Sequence, residues 1–486
     1  MMSIPVWISD PVFILFVGVL IVVGGIMGLK LHPFLALLLG ALIVAWMTPG
    51  SAIEQFALGK GLAPAVALQL SGKSIGERVA VEFGNTAGKI GIIIAMAAII
   101  GKCMLESGAA ERIIRSLLSI TGIKKAPVAF LISSFFIGIP VFFDTVIFLM
   151  MPLAKAMSIR IGKNYLLLVL SILAGAVMAN SLVPPAAGPL FLVGAMQIPI
   201  GLMMVAGTIL GLMTSAAGYL FAVWANRRWV VPVRDSPDAR LDDIRLNNLK
   251  EDSQLPSLWF SLLPVLIPLV LICTDTFLNL YPASNRIHPF AVTKLIQLIH
   301  FFGDKNIALI TAGLVALMLV ARQKKESKSG MTVFVQTALM SAGGIILITA
   351  AGGAFGGMLQ QTGISSQIAG FTKHYQMALI PLAFIIAAVI RTAQGSATVA
   401  LITASGILSG MANSGHLQYH HLYIGLAIGC GSKLVPWMND AGFWIVCKVS
   451  NLTEKEALKT LSPLNTIMGI TGLIIILIAA KLFPLL

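Results

Sequence analysis

Residues 391–398, Arg-Thr-Ala-Gln-Gly-Ser-Ala-Thr, lie between two apolar runs at 377–390 and 399–411. Each run is shorter than the roughly 20 apolar residues of a bilayer-crossing helix, a length that suits a re-entrant element or a buried core helix. An arginine, a glutamine and small hydroxyl residues at the turn between them are costly against lipid. Such groups persist at membrane depth only where protein encloses them or where they line a watery cavity. The stretch therefore predicts a helical hairpin that enters the membrane, turns at a polar tip and leaves on the same side. A loop between two core helices of a soluble protein is the alternative, and the rest of the chain opposes it. Of its 486 residues, 57% are hydrophobic and only 11% charged, where a soluble domain carries about 25% charged residues.

In a soluble protein the formal net charge of +14 would point to nucleic acid. Here the lysines and arginines gather in short connections, where they set orientation, and no nucleic-acid partner is expected. Cys103, Cys273, Cys430 and Cys447 are scattered through apolar runs without CxxC spacing and fill space. Gly72-Lys73-Ser74 has Ala67 where a phosphate loop requires glycine, so that motif fails. The histidines, His420-His421 included, have no carboxylate or cysteine to complete a ligand set, so no metal and no cofactor are expected. The run at 12–29 has no basic lead-in or cleavage site and reads as a first membrane helix.

Further full spans are expected at 33–46, 88–105, 201–224, 259–280, 307–320, 335–355 and 466–483, with a polar connection over 48–85. Mixed-polarity stretches at 109–126 and 365–376 suit helices lying in the interface. Apolar runs on both sides of Pro140-Val141-Phe142-Phe143-Asp144-Thr145 predict a second hairpin over 127–157. Two apolar segments are interrupted. In 166–197 the break is Asn180-Ser181-Leu182-Val183-Pro184-Pro185-Ala186-Ala187-Gly188-Pro189, whose prolines end any continuous helix. In 422–446 it is Val435-Pro436-Trp437-Met438-Asn439-Asp440-Ala441-Gly442.

The most hydrophilic segment, 226–257, reads as a cytoplasmic linker, and the order of elements recurs across it. Thr145-Val146 matches Thr398-Val399, Leu182-Val183-Pro184 matches Leu434-Val435-Pro436, and residues 101–108 resemble 356–363. The expected fold class is an all-α polytopic membrane protein of two inverted repeats, 1–225 and 258–486. Each repeat has about five spanning helices, one re-entrant hairpin (127–157 and 377–411) and one broken helix (166–197 and 422–446). Placing both termini outside puts Arg112, Arg115, Lys124, Lys125, Arg160 and Lys163 inside with Arg227 and Arg228, and leaves the outer connections with far fewer cations.

Inverted repeats bring two hairpin tips and two broken helices together near the midplane. Half-helix ends there point unpaired N–H groups and positive dipole ends into a cavity, which favours an anionic substrate, a carboxylate above all. Thr145, Asn180, Ser181, Gln394, Gly395, Ser396, Thr398 and Asn439 are the candidates to meet its oxygens. Arg391 and Lys433 are candidates for its negative charge, and Asp144 and Asp440 for a coupling proton or sodium ion. Pairs Asp144–Lys433 or Arg391–Asp440 that merely neutralise each other are the competing reading. The intramembrane aspartates argue against an uncoupled channel. No nucleophile–base pair supports an enzyme, and no nucleotide-binding domain supports a pump.

Gly395-Ser396-Ala397-Thr398-Val399-Ala400, Asn439-Asp440-Ala441-Gly442-Phe443-Trp444, and Val183-Pro184-Pro185 through Gly188-Pro189 resemble the gluconate permease (gluconate:proton symporter) family. The resemblance covers nearly the whole chain and keeps the motif order. It implies an ion-transporter-superfamily fold, with a scaffold domain for dimerisation and a mobile transport domain carrying both hairpins. It also implies a multi-pass homodimer in the lipid of a bacterial inner membrane, taking up sugar acids or small hydroxy acids with protons. Family members often carry Pro-Pro-His-Pro-Gly where this chain has Pro184-Pro185-Ala186-Ala187-Gly188, and a glutamate-containing tip near Phe143-Asp144-Thr145. Both departures fall in the expected cavity. Glycerate or a hydroxy amino acid such as serine therefore stands open beside gluconate.

Overall fold

The computed structural model describes residues 10–59, 61–234, 255–280, 290–324, 328–364, 376–412, 417–438 and 440–485, and among these every regular element is a helix. The first half runs α1 (Pro11–Met27), α2 (Pro33–Met47), α3 (Gly50–Gly59), α4 (Pro64–Ser71), α5 (Ile75–Glu106) and α6 (Ala109–Thr121). It continues with α7 (Ala126–Gly138), α8 (Phe143–Ile161), α9 (Tyr165–Leu182), α10 (Ala187–Ala195) and α11 (Ile200–Arg228). The second half holds α12 (Leu258–Leu280), α13 (Phe290–Gly303), α14 (Lys305–Lys324) and α15 (Lys328–Gln361). After them come α16 (Leu379–Gln394), α17 (Ala397–Ala412), α18 (Leu422–Gly431), α19 (Ala441–Ser450) and α20 (Glu454–Leu482).

Local chemistry sets many of these bounds. Prolines occupy the first turns of α1, α2 and α4, where a missing N–H costs nothing. Asp10 starts α1 by accepting from the N–H groups of Val12 and Phe13 at 2.9 and 3.1 Å. Thr453 and Glu456 form a reciprocal capping box at the head of α20. Among the described residues, 7 helices are long and apolar enough to cross a membrane, α9–α10 counting as one; the number rises to 9 if each of two bent pairs is a span. Those pairs are α2 with α3, bent by 99°, and α6 with the segment Ile123–Gly138, bent by 117°.

The two halves interlock by exchanging partners. The long helices α5 and α15 pack on each other; α2 of the first half packs on α15, and α14 of the second packs on α5. Within each half, the first arm of the hairpin lies on the first part of the broken helix: α7 on α9, and α16 on α18. The second arms cross over, α8 to α19 and α17 to α10. Phe355 of α15 is fully buried. Its ring comes so close to Gly18 of α1 and Gly40 of α2 that a Cβ there would lie 3.2 and 3.1 Å from it. Arg78, buried near the start of α5, donates to Gln361 Oε1 (3.0 Å) and Ala45 O (2.7 Å), tying the ends of α5, α15 and α2.

The polar connection expected over 48–85 is itself helical: it holds α3, α4 and the first turns of α5, which Ser74 caps through Glu77 N–H. A further short helix, α13, lies between the spans expected at 259–280 and 307–320. Most of the linker (235–254) and of the interfacial stretch (365–375) lies outside the described residues.

Beyond α20 the tail returns to the head of α18. His420 N–H donates to Pro484 O at 2.8 Å and the Tyr423 hydroxyl to Phe483 O. Burial, with His421 alongside, pulls the His420 imidazole down from 6.5 to about 4. The folded protein thus resists protonating a ring that the unfolded chain protonates below 6.5. Stability is unaffected by this group above 6.5 and declines as pH falls from 6.5 toward 4. His420→Asn retains an acceptor for Leu422 N–H and is expected to flatten the melting temperature across that window by about 2 °C or more. Equal slopes for variant and parent, by differential scanning fluorimetry, would show that His420 is not the group responsible.

Candidate functional site

Each of the four interruptions is built by its own sequence. In the second hairpin, Gly395 takes a left-handed φ of +81°, and its N–H closes α16 on Arg391 O at 2.9 Å. Ser396 Oγ then accepts from Val399 N–H at 3.4 Å and starts α17 at once. The first hairpin turns through residues 139–142, and α8 begins at Phe143 without a side-chain cap. The first broken helix opens after Leu182, and α10 also begins without one. In the second broken helix, α20 props the gap: Val435 N–H donates to Thr466 Oγ1 at 3.3 Å and Ser462 Oγ donates to Pro436 O. Asp440 begins α19, its Oδ1 accepting from Gly442 N–H at 2.8 Å. Both restarts in the second half are thus capped by their own side chains, and both in the first half are open.

Arg391 sits in the last turn of α16 with only 4% of its side chain exposed. Its guanidinium donates through Nη1 to Gly395 O and through Nη2 to Asp440 Oδ2. One side chain therefore fastens the hairpin's tip to the restart of the broken helix. Trp437, inside the break, adds a parallel tie by donating from Nε1 to Thr392 O at 2.8 Å. Gly442 shows how near the first hairpin comes, because a Cβ there would stand 3.3 Å from both Phe143 Cε1 and Asp440 Oδ1.

Asp144, next after Phe143, is exposed and lies within electrostatic reach of Asp440 and Lys433. Lys433 is buried, 7% exposed, in the break after α18, and it feels Arg391, Asp440 and Asp144. Among the described residues its ammonium makes no ion pair within 4.0 Å with either aspartate. Of the two neutralising pairs weighed from sequence, Arg391–Asp440 forms as a direct ion pair and Asp144–Lys433 does not. The site keeps one negative and one positive group, opposite in sign and not touching, beside the open N–H groups of α8.

The remaining candidates spread around this centre. Thr145 and Thr398 are half-buried in the first turns of α8 and α17. Asn180 is half-buried and Ser181 fully buried in the last turn of α9, and Ser181 Oγ has no hydrogen-bond partner among the described residues. Gly429 of α18 packs there, with a Cβ position 3.1 Å from Ser181 O. Asn439 and the side chain of Gln394 lie outside the described residues. Trp437, Phe143, Ser462 and Thr466 shape the site and were not singled out from sequence. An indole within a helix break is the one signal that pointed to the first.

A family model described as GntP family permease matches residues 11–482. The chain is 31% identical to the gluconate permease of Pseudomonas aeruginosa, over 92% of this chain and 93% of that protein. It is 29% identical to the inner membrane permease YgbN of Escherichia coli, over 94% of this chain and 96% of that one. In three dimensions it is similar to the YdaH transporter of Alcanivorax borkumensis, a crystal structure described as revealing an unusual topology. The TM-score is 0.60, with 84% of this chain and 88% of that one covered at 13% identity, a likeness of fold alone.

Proposed function

Because this chain belongs to the GntP family of permeases, we propose that it carries gluconate or a related sugar acid into the cell together with a proton. Membership makes it a multi-pass membrane transporter, not an enzyme. Gluconate comes from the name of the Pseudomonas aeruginosa relative, and the bacterial inner membrane from that of the Escherichia coli one. The crossed packing of α8 with α19 and of α17 with α10 supports reading 1–225 and 258–486 as inverted repeats around one central site.

The observation that carries the coupling mechanism is the division of the four charges. Arg391 and Asp440 satisfy each other, so they hold the second hairpin against the second broken helix. Lys433 and the open start of α8 then receive the substrate carboxylate. An anion arriving beside Lys433 meets the negative Asp144. A proton on Asp144 removes that repulsion, so proton and substrate bind best together, and the preference is reciprocal in free energy. Thr145, Asn180, Ser181 and Thr398 are the polar groups within the same breaks for the sugar hydroxyls. Arg391 and Asp440 thereby move from direct binding to positioning.

Uptake of labelled gluconate into proteoliposomes tests this, with an inward proton gradient imposed or omitted, sodium present or absent, and glycerate and serine as competitors. The gradient is expected to drive accumulation without sodium. Lys433→Gln is expected to raise the KM for gluconate roughly ten- to hundredfold, the cost of losing one charged hydrogen-bond donor. An unchanged KM removes Lys433 from the substrate site. A strict sodium requirement replaces the proton as the coupling ion.

A further inference from the structure

Where α6 bends into the first hairpin, the structure forms a half-open cavity of about 430 Å³. Its walls are hydrocarbon, with Ile123 from the bend, Phe130 from α7, and Leu153 and Met157 from α8; Arg115 of α6 and Arg160 of α8 also line it. Arg115 is paired with Glu111 at 2.5 Å. Arg160, in the last turn of α8, is exposed and has no ion-pair partner among the described residues. Lys124, Lys125 and Lys163 lie close by in sequence, at the ends of the same helices, so this is the basic face of the membrane. Ile120 and Ile123 are 76% and 43% exposed beside the cavity, which continues the apolar surface outward from it.

From these features we infer that the cavity seats an anionic glycerophospholipid, its phosphate on Arg160 and Arg115 and its upper acyl chain along Phe130, Leu153 and Met157. A free sugar acid is a poor match for hydrocarbon walls, and a zwitterionic lipid leaves the excess positive charge unanswered. Basic pockets between membrane helices on the positive side suit this chemistry. The lipid fills the space between the interfacial helix and both arms of the re-entrant hairpin, on the side from which the hairpin enters. Its expected effect is therefore to hold those arms together.

Purified full-length protein in a neutral detergent is titrated with phosphatidylglycerol, phosphatidylcholine or inorganic phosphate while thermal unfolding is recorded. Phosphatidylglycerol is expected to raise the melting temperature, and the other two are expected to leave it in place. Removing one arginine weakens the apparent phosphatidylglycerol affinity roughly fivefold, as about 1 kcal/mol per basic residue near an anionic headgroup implies, and Arg115→Gln/Arg160→Gln weakens it by the product. If the double variant does not fold, Arg160→Gln alone supplies the comparison, since Arg160 holds nothing else in place. Arg227→Gln/Arg228→Gln, on the same membrane face at the end of α11, is expected to respond like the parent. Equal phosphatidylglycerol shifts in the parent and the Arg160→Gln variant overturn the assignment. So does an equal response to inorganic phosphate, which would make the occupant a free anion, or to phosphatidylcholine, which would make the site indifferent to charge.

Discussion

Asp144→Asn is expected to keep substrate exchange and to lose accumulation. The asparagine is nearly isosteric with the protonated aspartate and cannot release a proton, so the substrate still finds Lys433 with the repelling charge gone. Asp144 is exposed at the site and is held by no ion pair among the described residues, so the exchange should leave the fold intact. Proton-coupled accumulation rises about tenfold for each pH unit of gradient when one proton accompanies one substrate, and that whole factor should disappear. Counterflow and gradient-driven uptake, measured in the same proteoliposomes, separate the two activities. Accumulation at the parent level in Asp144→Asn would falsify its coupling role.

Arg391 and Asp440 should behave as one unit. Either Arg391→Gln or Asp440→Asn leaves a single charge in a nearly closed site, with side-chain exposures of 4% and 14% in the parent. Removing one partner of such a pair costs about 3–5 kcal/mol. Asp440→Asn keeps an acceptor for Gly442 N–H, so its cost reports the lost charge more than a lost helix cap. The double variant Arg391→Gln/Asp440→Asn should be less destabilised than the two singles added together, by about 0.5–3 kcal/mol. Thermal unfolding of all four proteins in one detergent closes the cycle. Additive losses would mean that the two side chains act independently and that the tie between α16 and α19 lies elsewhere, with Trp437 the next residue to test.

Much of the architecture was visible in the chain because membranes punish polar backbone. A short apolar run that ends in Arg391-Thr392-Ala393-Gln394-Gly395-Ser396 has few permissible shapes, and α16 and α17 turn at that place. Pro184-Pro185 and Val435-Pro436 marked both helix breaks for the same reason. Short helices were harder to see. Since α3, α4 and α13 are too brief to span, neither length nor composition separates them from loops. At the candidate site the sequence supplied four charges at three of the four breaks without saying which would pair. Choosing Arg391–Asp440 over Asp144–Lys433 depends on how hairpin and broken helix meet in space, and no periodicity encodes that. The use of Trp437 was hidden likewise, because its acceptor is a main-chain carbonyl.

The seat of Phe355 has a consequence for how the protein is made. Gly18 and Gly40 leave a notch between α1 and α2 that Phe355 of α15 fills together with Val22 and Val44. At about 5–20 residues per second, a ribosome reaches the Phe355 codon roughly 15–60 s after it has finished α2. Through that interval α2 has α1 to pack on but lacks α15. The same holds for α8 and α10, whose partners α19 and α17 emerge later still. A chain stopped midway therefore keeps the packing of α7 and α11 on α9 but lacks the surfaces that α15, α17 and α19 offer to α2, α10 and α8.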